Sequence, residues 1–265
     1  MPKWLTAFAA ATAVALAPVQ AQAAEALALK VLWFSPDGRY FGFIQYGGQG
    51  DGGEYLAETY IIDTGRDRFV PGTPLRIDTI AEESIAEEAE DPAKLLALAV
   101  KRSQSLVKKF DVARPGALLA RVEEARTGEP HSGSGGPTSG VKSLSIKHAR
   151  LGDLNLALDI KEFAWPKTSK VGSHKDAGTC AKEVDWQKGA GFRLTLERAG
   201  RKIVLNDDKT IPSSRHCVTG YGIAEVHAFD RPDGKVTLAV MVGMEVRGFE
   251  GEDRLFLAVT RVLDR

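Results

Sequence analysis

From Lys235 to Val246 the chain places Val236, Leu238, Val240, Val242, Met244 and Val246 at every second position. That period of two describes a strand with one wholly apolar face, and Ala239 and Met241 keep part of the other face apolar too. A strand that is dry on both faces belongs inside a packed sheet, so earlier segments are expected to cover it. Gly222 to Phe229 and Arg254 to Val262 read as strands beside it. Asp230-Arg231-Pro232-Asp233-Gly234 turns the chain between the first two, with proline presetting one dihedral and glycine accepting a positive φ.

The same period recurs upstream. Leu154, Leu156, Leu158 and Ile160 alternate with polar residues, as do Phe192, Leu194 and Leu196, and Ile203 to Leu205 follows the Ala199-Gly200 turn. With Lys142 to Ala149 and the three terminal strands these make seven candidate strands in the second half, interrupted by a long polar loop from Lys167 to Gly191. In the first half Leu29 to Phe34, Arg39 to Tyr46, Leu56 to Asp63 and Arg68 to Val70 read as strands, separated by Ser35-Pro36-Asp37-Gly38, a glycine-rich loop from Gly47 to Gly53, and Thr64-Gly65. Thr79 and Glu82 have capping-box spacing for a short helix inside an acidic run that reads as a solvated face. A longer helix follows, with Asp91 as N-cap, Pro92 at its first position, and a stripe of Leu95, Leu96, Ala99, Val100, Leu106, Val107 and Phe110. Leu118 to Val122 fits either a strand or a helix tail.

This pattern predicts a mainly β (α+β) fold: an N-terminal β-meander with one or two helices, residues 24–125, packed beside a C-terminal antiparallel β-sandwich, residues 141–265. Residues 126–140, dense in glycine and serine, cannot bury apolar area and read as a linker or loop.

Residues 1–23 change the picture of where this fold works. Lys3, the uncharged run from Leu5 to Ala17, and Ala21-Gln22-Ala23 form a signal peptide with a small-x-small cleavage site. The chain is therefore expected in the periplasm or secreted, with no stable membrane insertion after cleavage. Its 35 basic and 35 acidic residues balance, which argues against nucleic acid as a partner. Two cysteines in an exported chain, Cys180 and Cys217, predict one disulfide. The competing reading makes them zinc ligands with His174 and His216, but adjacent His216 and Cys217 point to opposite faces of an extended segment. No metal and no cofactor are expected.

Candidate chemistry is sparse. There is no phosphate loop, HExxH, G-x-S-x-G or dinucleotide fingerprint. Two turns gather charge and aromatics beside glycine, and they supply the candidate ligand-binding residues Arg215, Tyr221, Phe249, Glu250, Asp253 and Arg254. The bland role for such arginines is to bond loop carbonyls or pair with a carboxylate.

Leu32 to Arg39, Pro71 to Pro74, Pro212 to Tyr221 and Gly248 through Val259, in that order, resemble a family of predicted secreted bacterial proteins of unknown function. The resemblance covers nearly the whole mature chain. It implies export and a mostly β fold, and it carries no activity, cofactor or catalytic residue. His216 stands where a glycine is expected, which argues against a tight turn there, and residues 126–140 are long for that family. Separately, strand–Ser35-Pro36-Asp37-Gly38–strand–loop–strand, with Asp63 ending the third strand, is similar to one repeat of a periplasmic Tol-type β-propeller. One copy is present, and a propeller needs several blades.

The expected function is that of a non-enzymatic periplasmic binding or envelope-associated protein, with an unknown small molecule or envelope protein as partner. The alternative is an envelope hydrolase whose site is assembled from distant residues such as Arg215, Glu250 and Asp253. A third reading is a subunit that docks through exposed strand edges.

Overall fold

The computed structural model describes residues 27–49, 54–85, 87–123, 141–165, 180, 188–247 and 252–265. The leader, the 126–140 segment, most of the 167–191 loop, His174, Phe249 and Glu250 lie outside the described residues. A first sheet holds β1 (Ala28–Phe34), β2 (Tyr40–Gln49), β3 (Glu54–Asp63), β4 (Arg68–Phe69) and β5 (Leu75–Asp78), in the order β1-β2-β3-β4 with β5 also paired to β3. Helix α1 (Pro92–Phe110) follows, then β6 (Ala117–Arg121). The outer sheet runs β10-β9-β8-β7, from β7 (Ser143–His148), β8 (Gly152–Phe163), β9 (Gly189–Arg198) and β10 (Arg201–Asp207). The last three strands, β11 (Val218–Asp230), β12 (Val236–Arg247) and β13 (Glu252–Leu263), form a middle sheet in the order β13-β12-β11-β6.

The layers stack as helix, first sheet, middle sheet and outer sheet. Val236, Leu238, Val240, Val242, Met244 and Val246 of β12 pack against Leu154, Leu156, Leu158, Phe192, Leu194 and Leu196 of the outer sheet. On the opposite face Ala239, Met241 and Phe256 meet Leu29, Phe34, Phe41, Phe43 and Ile62 of the first sheet. The cover expected for β12 is thus present on both sides, and each large buried aliphatic side chain there contributes about 1.5–3 kcal/mol. Side-chain and backbone bonds join the layers as well. Phe256 N–H donates to Gln45 Oε1 at 2.7 Å, and Thr260 donates to Asp67 Oδ1 from its backbone N–H (2.7 Å) and its hydroxyl (2.8 Å). The three sheets stay open; no barrel or propeller closes among the described residues, and the propeller likeness stops at the local turn.

Helix α1 begins as its sequence dictates. Asp91 Oδ1 accepts from the N–H groups of Ala93 and Lys94 at 2.8 and 2.9 Å, and Pro92 opens the first turn. The buried face is turned slightly from the expected stripe: Leu95, Leu98, Ala99 and Ser103 face the first sheet, while Val100 is exposed. Ser103 tolerates this because its hydroxyl donates to Val100 O at 3.1 Å. Thr79 does not cap a helix. Its hydroxyl accepts from Tyr55 N–H at 2.8 Å, Asp78 Oδ1 takes the N–H of Ile80 at 3.1 Å, and only two 3-10 turns, Glu83–Ile85 and Glu87–Ala89, follow. Leu118 to Val122 resolves as strand β6, so the first half of the chain contributes an edge to the middle sheet.

Register shifts meet at one place in the stack. β1 is irregular between Val31 and Trp33, and β11 between Ile223 and Glu225. There Trp33 takes φ 85°, a region bulky residues rarely occupy, and stands edge-on to the His227 ring at 5.6 Å. His227 Nε2–H donates to Glu225 Oε2 at 2.7 Å, both groups being buried, and Arg121 Nε donates to the other carboxylate oxygen at 3.0 Å. This buried pair is braced from the edge strand β6.

Candidate functional site

The residues singled out in the sequence divide between the two faces of the middle sheet. Tyr221 points into the core shared with the outer sheet. Arg215 joins it there: a guanidinium N–H donates to Tyr221 Oη at 3.2 Å, and another bond goes to Asp208 Oδ2. The guanidinium lies 5.0 Å from the Phe192 ring centroid and 5.6 Å from that of Tyr221. Asp208 in turn accepts from Phe192 N–H at 2.8 Å and from the Asn206 side chain at 3.2 Å, and the Tyr221 hydroxyl donates to Ala190 O at 3.2 Å. Burial pushes the Tyr221 phenol up to about 12, against the Arg215 charge, which lowers it. Arg254 sits elsewhere. It pairs in register with Glu245 and shares the strand face of Phe256, turned toward the first sheet. Burial holds its guanidinium below the ordinary value, and the Glu245 charge opposes that. Asp253 lies one residue along β13, with the opposite strand parity. The structure therefore brings Arg215 and Tyr221 together and separates Arg254 from them.

Cys180 and Cys217 form the expected disulfide, with Cα atoms 5.4 Å apart, fully buried beside Trp165. Both sulfurs are bonded to each other, which removes the zinc reading. The closed loop spans 37 residues, worth about 4 kcal/mol in the chain-entropy account. Just before it, His216 takes φ 51° after the 3-10 turn Ser213–Arg215. The tight turn is made despite the missing glycine, with histidine in a conformation glycine would adopt more readily.

A different cleft, of about 560 Å³, is the place where charge faces solvent. Two turns of the same design build its floor. In the first, Gly38 N–H donates to Ser35 O at 2.8 Å with Gly38 at φ 68°; in the second, Gly234 N–H donates to Arg231 O at 3.1 Å with Gly234 at φ 86°. Ser35-Pro36-Asp37-Gly38 and Arg231-Pro232-Asp233-Gly234 thus share proline, aspartate and positive-φ glycine at matching positions. They pack directly on each other. Gly38 O accepts from Thr64 Oγ1 at 2.9 Å, Thr237 Oγ1 at 2.9 Å and Arg231 Nη1 at 3.3 Å. A side chain on residue 38 would come within 2.8 Å of Arg231 Cγ and 2.9 Å of Phe229 Cδ1, so glycine is needed there for closeness as well as conformation.

Arg114, Arg150, Arg231 and Arg265 line this cleft with Pro36, Phe229, Asp230 and Pro232. Each arginine is placed by a different element. Arg114 is fixed by a two-way backbone bridge to Phe34, at 2.8 and 3.0 Å. Arg150 comes from the β7–β8 turn and forms an ion pair with Asp230, its Nε lying 3.3 Å from Oδ1. Arg231 donates from Nε to Asp233 at 3.2 Å. Arg114 and Arg265 make no ion pair with a carboxylate among the described residues. The two turn aspartates stay ionised. Asp233 is held below its ordinary value, first by the Lys235 N–H and then by Arg231. For Asp37 burial acts upward, but the Ser35 hydroxyl, the Arg39 N–H and the Arg231 charge outweigh it.

An arrangement of several guanidinium forks around one carboxylate, beside a half-buried phenylalanine, can hold an anion and orient the body attached to it. No group of three metal-ligating side chains occurs among the described residues, and no described helix is long and apolar enough to cross a membrane. Sequence reasoning did not assemble this cleft, because its arginines lie at 114, 150, 231 and 265. The one sequence signal that pointed to it is the repeated Pro-Asp-Gly turn.

No curated protein and no solved structure matches the chain. A family model does, over residues 42–261, and on that span the chain belongs to the family described as Predicted secreted protein (DUF2259).

Proposed function

We propose that this is a non-enzymatic, exported binding protein that holds an anionic ligand in the cleft between its two Pro-Asp-Gly turns. The observation that carries this reading is the convergence of four arginines on one cleft whose lining includes a single acidic side chain, Asp230. Arginine guanidinium groups are matched to the oxygens of carboxylates and phosphates, and here they stand on a floor fixed by strand-end turns rather than on mobile side-chain stems alone. Membership of a predicted secreted family supports a role outside the cytoplasm. Binding is favoured over hydrolysis because Arg215, the centre of the alternative, is bonded to Asp208 and Tyr221 and forms part of the core. The ligand expected at the turns of Arg215 and Asp253 remains a proposal of the same class.

The test is a thermal-shift and calorimetric screen of the purified protein against phosphate, sulfate, citrate and neutral sugars at low and moderate salt. Polyvalent anions are expected to raise the melting temperature, less so as salt screens the charges, while neutral sugars do nothing. Absence of any anion-dependent stabilisation defeats the reading.

A further inference from the structure

We infer that the anion is a phosphate monoester carried on a polyol or sugar, an inference that rests on the anion-binding reading of the cleft and sharpens it. Three features choose the class. The first is the number of donors left over. Arg150 meets Asp230 through Nε, so both of its terminal amino groups are unused by that pair. Arg231 uses Nε on Asp233 and Nη1 on Gly38 O, which leaves Nη2. Arg114 adds a whole fork. A carboxylate is saturated by one or two such forks, whereas the three terminal oxygens of a phosphate monoester can be shared among all of them.

The second feature is Asp230. An acid in an anion site would be unfavourable unless it also recognises something. Its Oδ1 faces Arg150 Nε at 3.3 Å and His148 Nε2 at 3.8 Å. His148 Nδ1 accepts the N–H groups of Arg150 and Leu151 at 3.2 and 3.3 Å, so the ring proton sits on Nε2 and points at the acid. Asp230 Oδ2 makes no bond within the described residues and the side chain is about two-fifths exposed, at 42%. Oriented by the Arg150 ion pair, with no hydrogen bond to either oxygen from a described residue, the carboxylate presents an acceptor for a ligand hydroxyl. The third feature is the wall: Phe229, stacked on Phe34 at 5.3 Å, and two prolines give an apolar surface for the C–H face of a ring. Phosphate, neighbouring hydroxyl and ring face together describe a phosphorylated sugar, either free or as the exposed head of a lipid.

The probes are propyl phosphate, which has the monoester alone, and glucose 1-phosphate, which adds hydroxyls and a ring, both titrated into the purified protein by calorimetry. Glucose 1-phosphate is expected to bind about tenfold tighter, the worth of one hydrogen bond to a charged acceptor plus ring contact. Asp230→Asn should reduce that preference, since it keeps an acceptor and the ring contact but loses the charge, while leaving propyl phosphate binding equal or stronger. Arg114→Ala should weaken both ligands by about tenfold, and Arg114→Lys should recover only part, since it restores charge without the fork. Circular dichroism of each variant confirms the fold. For the source, phosphatidylcholine vesicles with and without phosphatidylinositol 4-phosphate are pelleted with the protein. Co-sedimentation with the phosphorylated lipid alone, competed by glucose 1-phosphate, assigns a lipid head, and soluble binding without co-sedimentation assigns a free sugar phosphate; both support the inference. Equal affinity for propyl phosphate and glucose 1-phosphate overturns it and leaves the anion site standing. A loss of propyl phosphate binding in Asp230→Asn also overturns it, because Asp230 would then hold the site together rather than select the ligand. Silence toward both probes, sulfate and citrate defeats the anion site itself.

Discussion

Arg215 and Arg114 carry the same side chain under opposite conditions. Around Arg215 the protein supplies a carboxylate, a phenol and two aromatic faces, and Asp208 is itself bonded to a backbone N–H. Arg215 Nη1 and the Tyr221 hydroxyl are directed inward, where the low dielectric makes each bond strong and each vacancy costly. Around Arg114 the protein supplies a backbone bridge and, among the described residues, no ion pair with a carboxylate, and its neighbours in the cleft include three further arginines beside Asp230. Like charges gathered at a surface are unfavourable for folding and favourable for capturing an anion. The contrast teaches that an arginine beside an aromatic in sequence is a weak sign of a site. What distinguishes a site is guanidinium groups in excess of the carboxylates that meet them.

The largest effect that can break this contrast is expected in the core cluster. Asp208→Ala should destabilise the protein by about 3 kcal/mol in urea denaturation, because it strands the buried Arg215 charge and the Phe192 N–H together. Anion binding in the cleft should survive in the folded fraction. A loss below about 1 kcal/mol would mean that Arg215 relaxes to solvent and is not a structural element.

A gentler test uses the neighbouring acid. Asp207 lies at the end of β10, where Lys161 and then Lys209 lower its carboxyl to about 2 from an ordinary 3.8. Because the folded value lies below the unfolded one, the stabilising contribution is complete above the ordinary carboxylate range and is lost as pH falls toward about 2. Asp37 and Asp233, also lowered, act in the same direction. Asp67 opposes them: burial raises it despite the Thr260 bonds, so its protonation in acid favours the folded state. The melting temperature should therefore fall between about pH 4 and 2, and Asp207→Asn should flatten that fall. An identical acid profile in the variant would show that the two lysines do not hold Asp207 in solution.

Much of the fold was legible, for reasons that individual residues make plain. The period of two in β12 and its apolar second face required cover on both sides, and that is the stack observed. Asp91 and Pro92 marked the start of α1 because capping is local. The helix face was less legible: Leu98 is buried in place of Val100. β6 was ambiguous since five residues at a sheet edge carry too little periodicity to separate strand from helix. In the candidate sites the limit was range. Arg215 and Tyr221 are six residues apart and visible as neighbours, but Asp208 meets them only through the path of the chain from β10. The cleft arginines come from the α1–β6 connection, the β7–β8 and β11–β12 turns and the residues after β13, which no spacing in the sequence announces.

The smallest expected effect is the most discriminating. Arg114→Ala should change stability by less than about 0.5 kcal/mol, since the side chain is exposed and is bonded to no carboxylate among the described residues, and its backbone bridge to Phe34 survives the substitution. Arg231→Ala, at the other side of the same cleft, should cost about 1 kcal/mol, because its guanidinium ties Gly38 O to Asp233 and its stem packs under the first turn. A fold that used both arginines alike would show equal losses. If Arg114→Ala is neutral in urea denaturation yet reduces the anion-dependent rise in melting temperature, the residue serves recognition and contributes nothing measurable to the fold. If it destabilises as strongly as Arg231→Ala, Arg114 belongs with Arg215 as a structural arginine, and the cleft loses one of its two forks that pair with no carboxylate among the described residues.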